Sequence, residues 1–552
     1  MTGYIDLPDY ATAAAEGVRL PAPEFYNFGF DLIDRRAAER DKTAFVYADA
    51  NTGEQATWTF SDLSASSNRF ANMLRGIGAA KGDFAFMMIP RIPAWYEAMI
   101  GCIKLGVIAM PGTNLLQPKD IEYRINRARA RLAIITADHI AKIEAVRDKC
   151  PTLERVIVIG APHGDLPCDW THCESACAAA SDRLDRSAVE PTRNDEMMLA
   201  YFTSGTTAFP KLVPRDHSYA IAHTLTARYW HDLREDDLHW TMSDTGWAKA
   251  AWGKLFGQWQ LGTAVMLYNP GPGFDADAHL RLFAEHGITT VCAPPTVFRA
   301  FIQMDLSAYD LSSIRHSISA GEPLNPEAVR AWKDATGTVP HDGYGQTETV
   351  NLVANFPGVE VRPGSMGKPV PGMEVDIVDD SGNRLPDDEV GHIAVRTDGD
   401  AWPPGLFHGY YEDDAANAKC FRHGWYYTGD TATRDADGYI WFVGRADDLI
   451  SSAGYRISPF EVESALIEHE SVVESAVVGK KDELRGEIVK AFVVLAEGFE
   501  PGEAMAETLQ NFVKATTAPY KYPREIAFVP ELPKTISGKI RRVELRDRAN
   551  AE

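Results

Sequence analysis

Residues 201–216 read YFTSGTTAFPKLVPRD. An apolar run ends at Phe202, Thr203, Ser204, Thr206 and Thr207 then crowd around Gly205, and Pro210 and Lys211 follow. A loop of this kind at the end of a buried strand suits an anion. Hydroxyls and main-chain amides donate hydrogen bonds without bulk, and a glycine lets the backbone approach closely. It is not the Walker-type phosphate loop, which needs two glycines five apart followed by Lys-Ser/Thr. No second glycine follows Gly205 at that distance, and Leu212 follows Lys211.

The chain has 552 residues, enough for several domains and a large core. Its 45% hydrophobic and 24% charged content is that of an ordinary globular protein. A net charge of −23 argues against a general nucleic-acid binder, which needs a basic footprint, and against anionic lipid. The start, MTGYIDLPDYATAAAEG, has neither the basic nor the apolar region of a secretion signal. The most apolar run, Ala98–Gly112, is interrupted by Lys104 and is too short to span a bilayer. No integral membrane association is therefore expected. The seven scattered cysteines read as reduced thiols, and from them we expect a cytoplasmic protein. Cys168, His172, Cys173 and Cys177 lie close together but lack a second C-x-x-C-like pair, so they read as an incidental segment rather than a zinc site.

Working outward, FAFMMIP (84–90), LAIITAD (132–138), RVIVIG (155–160), MMLAYFT (197–203), TAVMLY (263–268) and ITTVCAPP (288–295) read as buried strands. Amphipathic stretches such as Asp62–Ile77 and Pro326–Ala335 read as helices between them. Alternation of this kind implies α/β architecture, parallel sheets covered by helices. From Glu374 the texture changes to alternating runs around DDSGN, an antiparallel hairpin pattern. After Gly444 a helix (Pro459–Glu468), strands SAVVGK and VKAFVVLA, a helix near Glu503–Thr516 and a basic tail read as a small α+β domain of about 100 residues.

Five further segments carry glycine turns with charged or hydroxyl residues: SAGEP (319–323), GYGQTET (343–349), WYYTGD (425–430), GRADDLISSAGYRISPFEVE (444–463) and PKTISGKIRR (533–542). Each alone is weak; a TGD turn, for instance, is usually a strand end with a capping aspartate. Together, in this order, they resemble the adenylate-forming superfamily of acyl-CoA synthetases, luciferases and peptide-synthetase adenylation domains. The resemblance runs from about Phe30 to Arg546 and is nearest to the medium-chain acyl-CoA synthetases, as in SDTGWAKAAWGKLFGQW, PGSMGKP, LRGEIVKAFVVL and TAPYKYPREIAFVPELPKTISGKIRR.

The resemblance implies an α/β fold with a large N-terminal domain of parallel-rich sheets plus a small β-barrel-like part (1–446). A small mobile α+β C-terminal domain (447–552) follows. It implies two steps: a carboxylate attacks the α-phosphorus of ATP, giving acyl-AMP and pyrophosphate, and the thiol of coenzyme A then displaces AMP. The first step brings an anion onto an anion, so cations and N–H donors must be positioned around it. By resemblance, Thr203, Ser204, Gly205, Thr206, Thr207 and Lys211 wrap the β- and γ-phosphates. The family usually carries Gly or Ser where this chain has Ala208, and a positive φ there would strain alanine. Gly321, Glu322 and Pro323 would pack on adenine, with Tyr344 and Gln346 in the same ATP site. Thr347 would contact the α-phosphate, and Glu348 would hold Mg²⁺, a hard ion suited to carboxylate and phosphate oxygens. Asp430 would accept from the ribose hydroxyls, with Arg445 on the other side. Arg456 would meet a phosphate, and Lys539 would reach the carboxylate and α-phosphate during adenylation. Asp447 would be the pivot about which the small domain turns. In the second pose Ala453, Gly454 and Tyr455 would face coenzyme A, with Arg485 and Tyr522 toward its nucleotide end.

The partners implied are thus a carboxylic acid, ATP and coenzyme A, for a monomer or homodimer. Gly345 stands where acetate-specific relatives carry a pocket-shortening tryptophan, so a longer or aromatic acid is expected. Each extra buried methylene is worth about 0.8 kcal/mol. Trp247 is a second candidate for the acyl pocket. Three rivals share some of these motifs: a luciferase-like oxidase, separated by oxygen-dependent light; an adenylase that serves a carrier protein, separated by acceptor choice; and a non-catalytic nucleotide binder, separated by pyrophosphate release.

Overall fold

A computed structural model describes residues 5–162, 164, 166, 167, 169–203, 210–271, 273–321, 326–399, 401–453, 455–535 and 539–551, with backbone alone at 326, 327 and 456. The chain forms two compact units. The first comprises Met1–Thr203, Leu212–Glu374 and Asp400–Asn417; the second comprises Ser204–Lys211, Val375–Gly399 and Ala418–Glu552. The boundary expected at 446/447 falls inside the second unit, and compactness alone does not test where a chain pivots.

The first unit holds two parallel-rich sheets. One runs in the order Thr171–His172, Arg155–Ile159, Leu132–Thr136, Phe84–Met88, Ile108–Pro111, Met197–Phe202, Leu212–Asp216, parallel except for the last pair. The other carries a parallel centre of Pro340–Gly345, His316–Ala320, Thr290–Ala293, Leu238–Thr241, Ala264–Asn269 and Thr43–Asp49, with antiparallel strands at each end. Strands covered on both faces need unbroken apolar runs, and Phe84–Met88 and Leu132–Thr136 are buried at every position. The helix Phe60–Gly76 starts at a capping box between Thr59 and Asp62. It packs on Pro93–Leu105 so closely that a Cβ at Gly101 would meet the Phe70 ring at 2.9 Å. Leu212–Asp216 is a strand that the sequence reading leaves unassigned. It is an edge strand, where proline is tolerated.

In the second unit, Val375–Val378, Gly391–Arg396, Trp425–Arg434, Phe421–Arg422 and Ile440–Arg445 form an antiparallel sheet, as the alternating pattern after Glu374 leads one to expect. A further sheet joins Ile450–Ser452, Tyr455–Ile457, Val472–Asp482, Gly486–Leu495 and Glu525–Phe528. Helices Pro459–Ile467 and Glu503–Thr516 cover it through Val462, Leu466, Leu509 and Val513. Among the described residues no helix is long and apolar enough to cross a membrane.

Candidate active site

Ser204, Gly205, Thr206, Thr207, Ala208, Glu322, Pro323, Gly454 and the side chain of Arg456 lie outside the described residues. Their flanks are defined. Thr203 is half-buried just after Met197–Phe202, and Lys211 is half-buried just before Leu212–Asp216. Gly321 follows the strand His316–Ala320 with φ +114°, a conformation that favours glycine.

In the first unit, Pro340–Gly345 delivers the GYGQTET segment. Its tip closes on itself: the amide of Gln346 donates to Thr349 Oγ1 at 3.0 Å, and the amide of Thr349 donates to the Gln346 carbonyl at 3.2 Å. This turn presents Thr347, half-buried, and Glu348, buried. Tyr410 donates its hydroxyl to Glu348 Oε1 at 2.8 Å. The Glu348 carbonyl accepts from Arg215 Nη1 at 2.6 Å and from the amide of Phe407 at 2.9 Å. Neither Tyr410 nor Arg215 has a role in the motif reading. The traces they leave are the arginine in the strand LVPRD and the glycine–tyrosine cluster HGYYED.

Gly345 is exposed, and a Cβ there would meet the main-chain oxygen of Val350 at 2.7 Å. The ladder with Asn351–Ala354 shifts register between Tyr344 and Gly345, a bulge that brings the Val350 backbone close. At Gly343 a Cβ would run into the Trp230 indole at 2.3 Å. Trp230 therefore occupies the side of this strand that a shortened side chain leaves open. Trp247 is half-buried and precedes Ala248–Lys254, and its loop sits so tightly that a Cβ at Gly246 would lie 2.0 Å from the amide of Thr113.

In the second unit, Asp430 is buried in Trp425–Arg434 and pairs in register with Arg445. Their side chains meet at 3.5 Å, and Arg445 also lies 3.6 Å from Asp447. Asp447 is exposed in the turn after Ile440–Arg445. Its neighbour Asp448 pairs with Arg546 at 2.6 Å. The amide of Ala453, whose φ is +50°, donates to the Arg485 carbonyl at 2.8 Å, so two coenzyme A candidates far apart in sequence are adjacent. Tyr455 is 53% exposed and stacks on Tyr520 with ring centroids 4.3 Å apart. Tyr522 instead packs beside Lys514 and accepts from Arg524 at 3.1 Å. Lys539 is exposed and is fastened twice to Thr535, at 2.7 and 3.1 Å.

With this geometry in hand, likeness to known proteins carries weight. Residues 33–411 match the family model of the AMP-binding enzymes, and residues 461–539 match that of the AMP-binding enzyme C-terminal domain. The chain is 42% identical to the mitochondrial acyl-coenzyme A synthetase ACSM3 of Mus musculus, covering 96% of this chain and 91% of that protein. It is 43% identical to the mitochondrial ACSM4 of Homo sapiens, with the same coverage. Among solved structures it resembles the anthranilate CoA ligase AuaEII in complex with anthranoyl-AMP. The TM-score is 0.84 at 32% identity, over 96% of this chain and 98% of that one. The relatives are mitochondrial by name, which overturns the cytoplasmic expectation. Reduced thiols argue against an oxidising compartment and do not single out the cytoplasm.

Proposed function

This chain belongs to the AMP-binding enzyme family, and we propose that the acid it activates is a medium-chain fatty acid or an aryl acid. Its activity is ATP-dependent acid:CoA ligation through an acyl-AMP. The observation that carries the reading is the match, over 96% of the chain, to acyl-CoA synthetases. The aryl alternative is supported by the likeness to the anthranilate ligase.

Asp430 accepts from the ribose hydroxyls while Arg445 holds it and lines the opposite side. Gly321, Tyr344 and Gln346 frame the base, and Thr347 donates to the α-phosphate. Thr203 and Lys211 flank the hydroxyl-rich loop that receives the outer phosphates. The Glu348 carboxylate suits Mg²⁺: among the described residues only its Oε1 is engaged, by a neutral phenol. A hard cation held by one carboxylate plus substrate phosphates is the usual Mg²⁺ arrangement, and when bound it neutralises phosphate charge. Lys539 supplies positive charge where the acid carboxylate meets the α-phosphorus. Residues 447–552 turn about Asp447 between the half-reactions, and in the second state the Ala453–Tyr455 strand, with Arg485, receives coenzyme A.

The test is pyrophosphate release from C2 to C12 fatty acids, benzoate and anthranilate, with and without coenzyme A. We expect the highest kcat/KM within the medium-chain or aryl acids, with thioester formed only when coenzyme A is present. Release confined to acetate would overturn the acid assignment. Adenylation without thioester formation would overturn the acceptor.

A further inference from the structure

We infer that Tyr410 is a positioning residue for Glu348, and that Arg215 ties the main chain of Glu348 to the strand leaving the hydroxyl-rich loop. The inference rests on the reading of Glu348 as a metal-binding group.

Glu348 is held at two levels. Its main-chain oxygen accepts from Arg215 and from Phe407, and its carboxylate accepts from Tyr410. Arg215 is buried in Leu212–Asp216, with its guanidinium 3.9 Å from the centre of the Tyr219 ring. Its second arm donates to the carbonyl of Gly405. A planar guanidinium spans two carbonyls with donors fixed in a rigid fork, a geometry that the single ammonium nitrogen of a lysine does not provide. The strand around Arg215 is fastened to the same neighbouring segment twice more. The Tyr411 amide donates to the Leu212 carbonyl at 3.0 Å, and His408 lies 3.3 Å from Asp216.

Tyr410 is itself held firmly. Its amide donates to Asn417 Oδ1 at 2.6 Å, and Asn417 Nδ2 donates back to its carbonyl at 3.1 Å. Its ring meets Phe407 edge-on at 4.9 Å. Gly405 sits at φ +66°, and a Cβ there would strike Val350 at 2.4 Å, so the segment lies directly over the strand start beyond Glu348. The phenol therefore takes one oxygen of Glu348 from a fixed origin and leaves the other to a ligand. A hydrogen bond of this kind orients a metal-binding carboxylate, and its loss typically weakens metal affinity about tenfold to a hundredfold.

The test uses the full chain with Tyr410→Phe, Glu348→Gln and the double variant. Mn²⁺ binding to the protein–ATP complex is followed by water-proton relaxation, alongside the Mg²⁺ dependence of pyrophosphate release. Tyr410→Phe keeps the ring on Phe407, and melting curves report whether the fold is intact. We expect about tenfold weaker Mn²⁺ binding, a matching rise in the Mg²⁺ needed for half-maximal adenylation, and kcat at saturating Mg²⁺ within about threefold. On the Glu348→Gln background, Tyr410→Phe should add almost nothing, because both act through one carboxylate. Arg215→Lys should shift Mn²⁺ binding in the same direction, which keeps the idea testable if Tyr410→Phe does not fold. Unchanged Mn²⁺ binding in Tyr410→Phe, or an undiminished effect in the double variant, overturns the inference. Unchanged binding in Glu348→Gln would instead remove the metal reading of Glu348, and the role of Tyr410 with it.

Discussion

Asp430 and Arg445 stand directly opposite one another in an antiparallel ladder, with Arg445 Nη1 3.5 Å from Asp430 Oδ1. The aspartate is 7% exposed and the arginine 40%, so the pair offers a fixed acceptor backed by a cation that solvent and ligand can reach. Asp430→Asn keeps the shape and removes the charge. Hydrogen bonds to charged groups are worth about 1.5–3 kcal/mol, so KM for ATP should rise about tenfold to a hundredfold. AMP carries the same ribose, so thioester formation from supplied acyl-AMP should fall as well. Loss confined to one half-reaction would be incompatible with a ribose contact.

Lys539 is assigned to adenylation alone. Lys539→Ala should slow acyl-AMP formation by more than about a hundredfold, the scale of losing a transition-state electrostatic contact. Thioester formation from supplied acyl-AMP should stay within several-fold. Parallel loss of both steps, measured in separate half-reaction assays, would sink the assignment.

Asp447 lies in an exposed turn, and among the described residues its amide donates no hydrogen bond, so proline there removes none. Asp447→Pro restricts one backbone dihedral. If the chain pivots here, one half-reaction survives and the other is lost in a variant that melts normally. Undiminished overall turnover would place the pivot elsewhere.

Gly345 should tolerate no side chain. A methyl group would press on the Val350 oxygen at 2.7 Å, an overpacking that costs about 1–3 kcal/mol. Gly345→Ala should lower the melting temperature and reduce kcat/KM for all acids in proportion. A changed order of preference among C4 to C12 acids would mean that this position does face the acid.

Buried histidines make the first unit acid-sensitive. Burial pushes His217 down to about 4, and His239 and His316 down to about 3. Their unfolded value is near 6.5, so the folded state binds fewer protons than the unfolded one below that pH. The stability is fully present above 6.5 and is lost as pH falls toward the folded values. Each group contributes about 1.4 kcal/mol per pH unit in that window. Calorimetric unfolding at pH 5 should show these three rings taking up slightly fewer than about three protons. Equal stability at pH 7 and pH 5 would contradict this.

Much of the architecture was legible locally. Runs such as Phe84–Met88 and Leu132–Thr136 point to covered strands because a strand buried on both faces is apolar at nearly every position. The ordered glycine turns placed Asp430, Glu348 and Lys539 in a family whose chemistry follows from them. Each of those signals is contained within a few consecutive residues, where periodicity and turn chemistry operate.

What only the tertiary structure decided is side-chain direction and long-range contact. The ladder shifts register beside Tyr344, and a Cβ at Gly345 would lie 2.7 Å from the Val350 main-chain oxygen; nothing in GYGQTET marks this. Arg215 reaches the Glu348 carbonyl across 133 positions, and Tyr410 reaches its carboxylate across 62. Such contacts leave no period in the sequence. They exist because the chain buried Arg215 in an edge strand, where its donors had to find carbonyls to avoid an uncompensated buried charge.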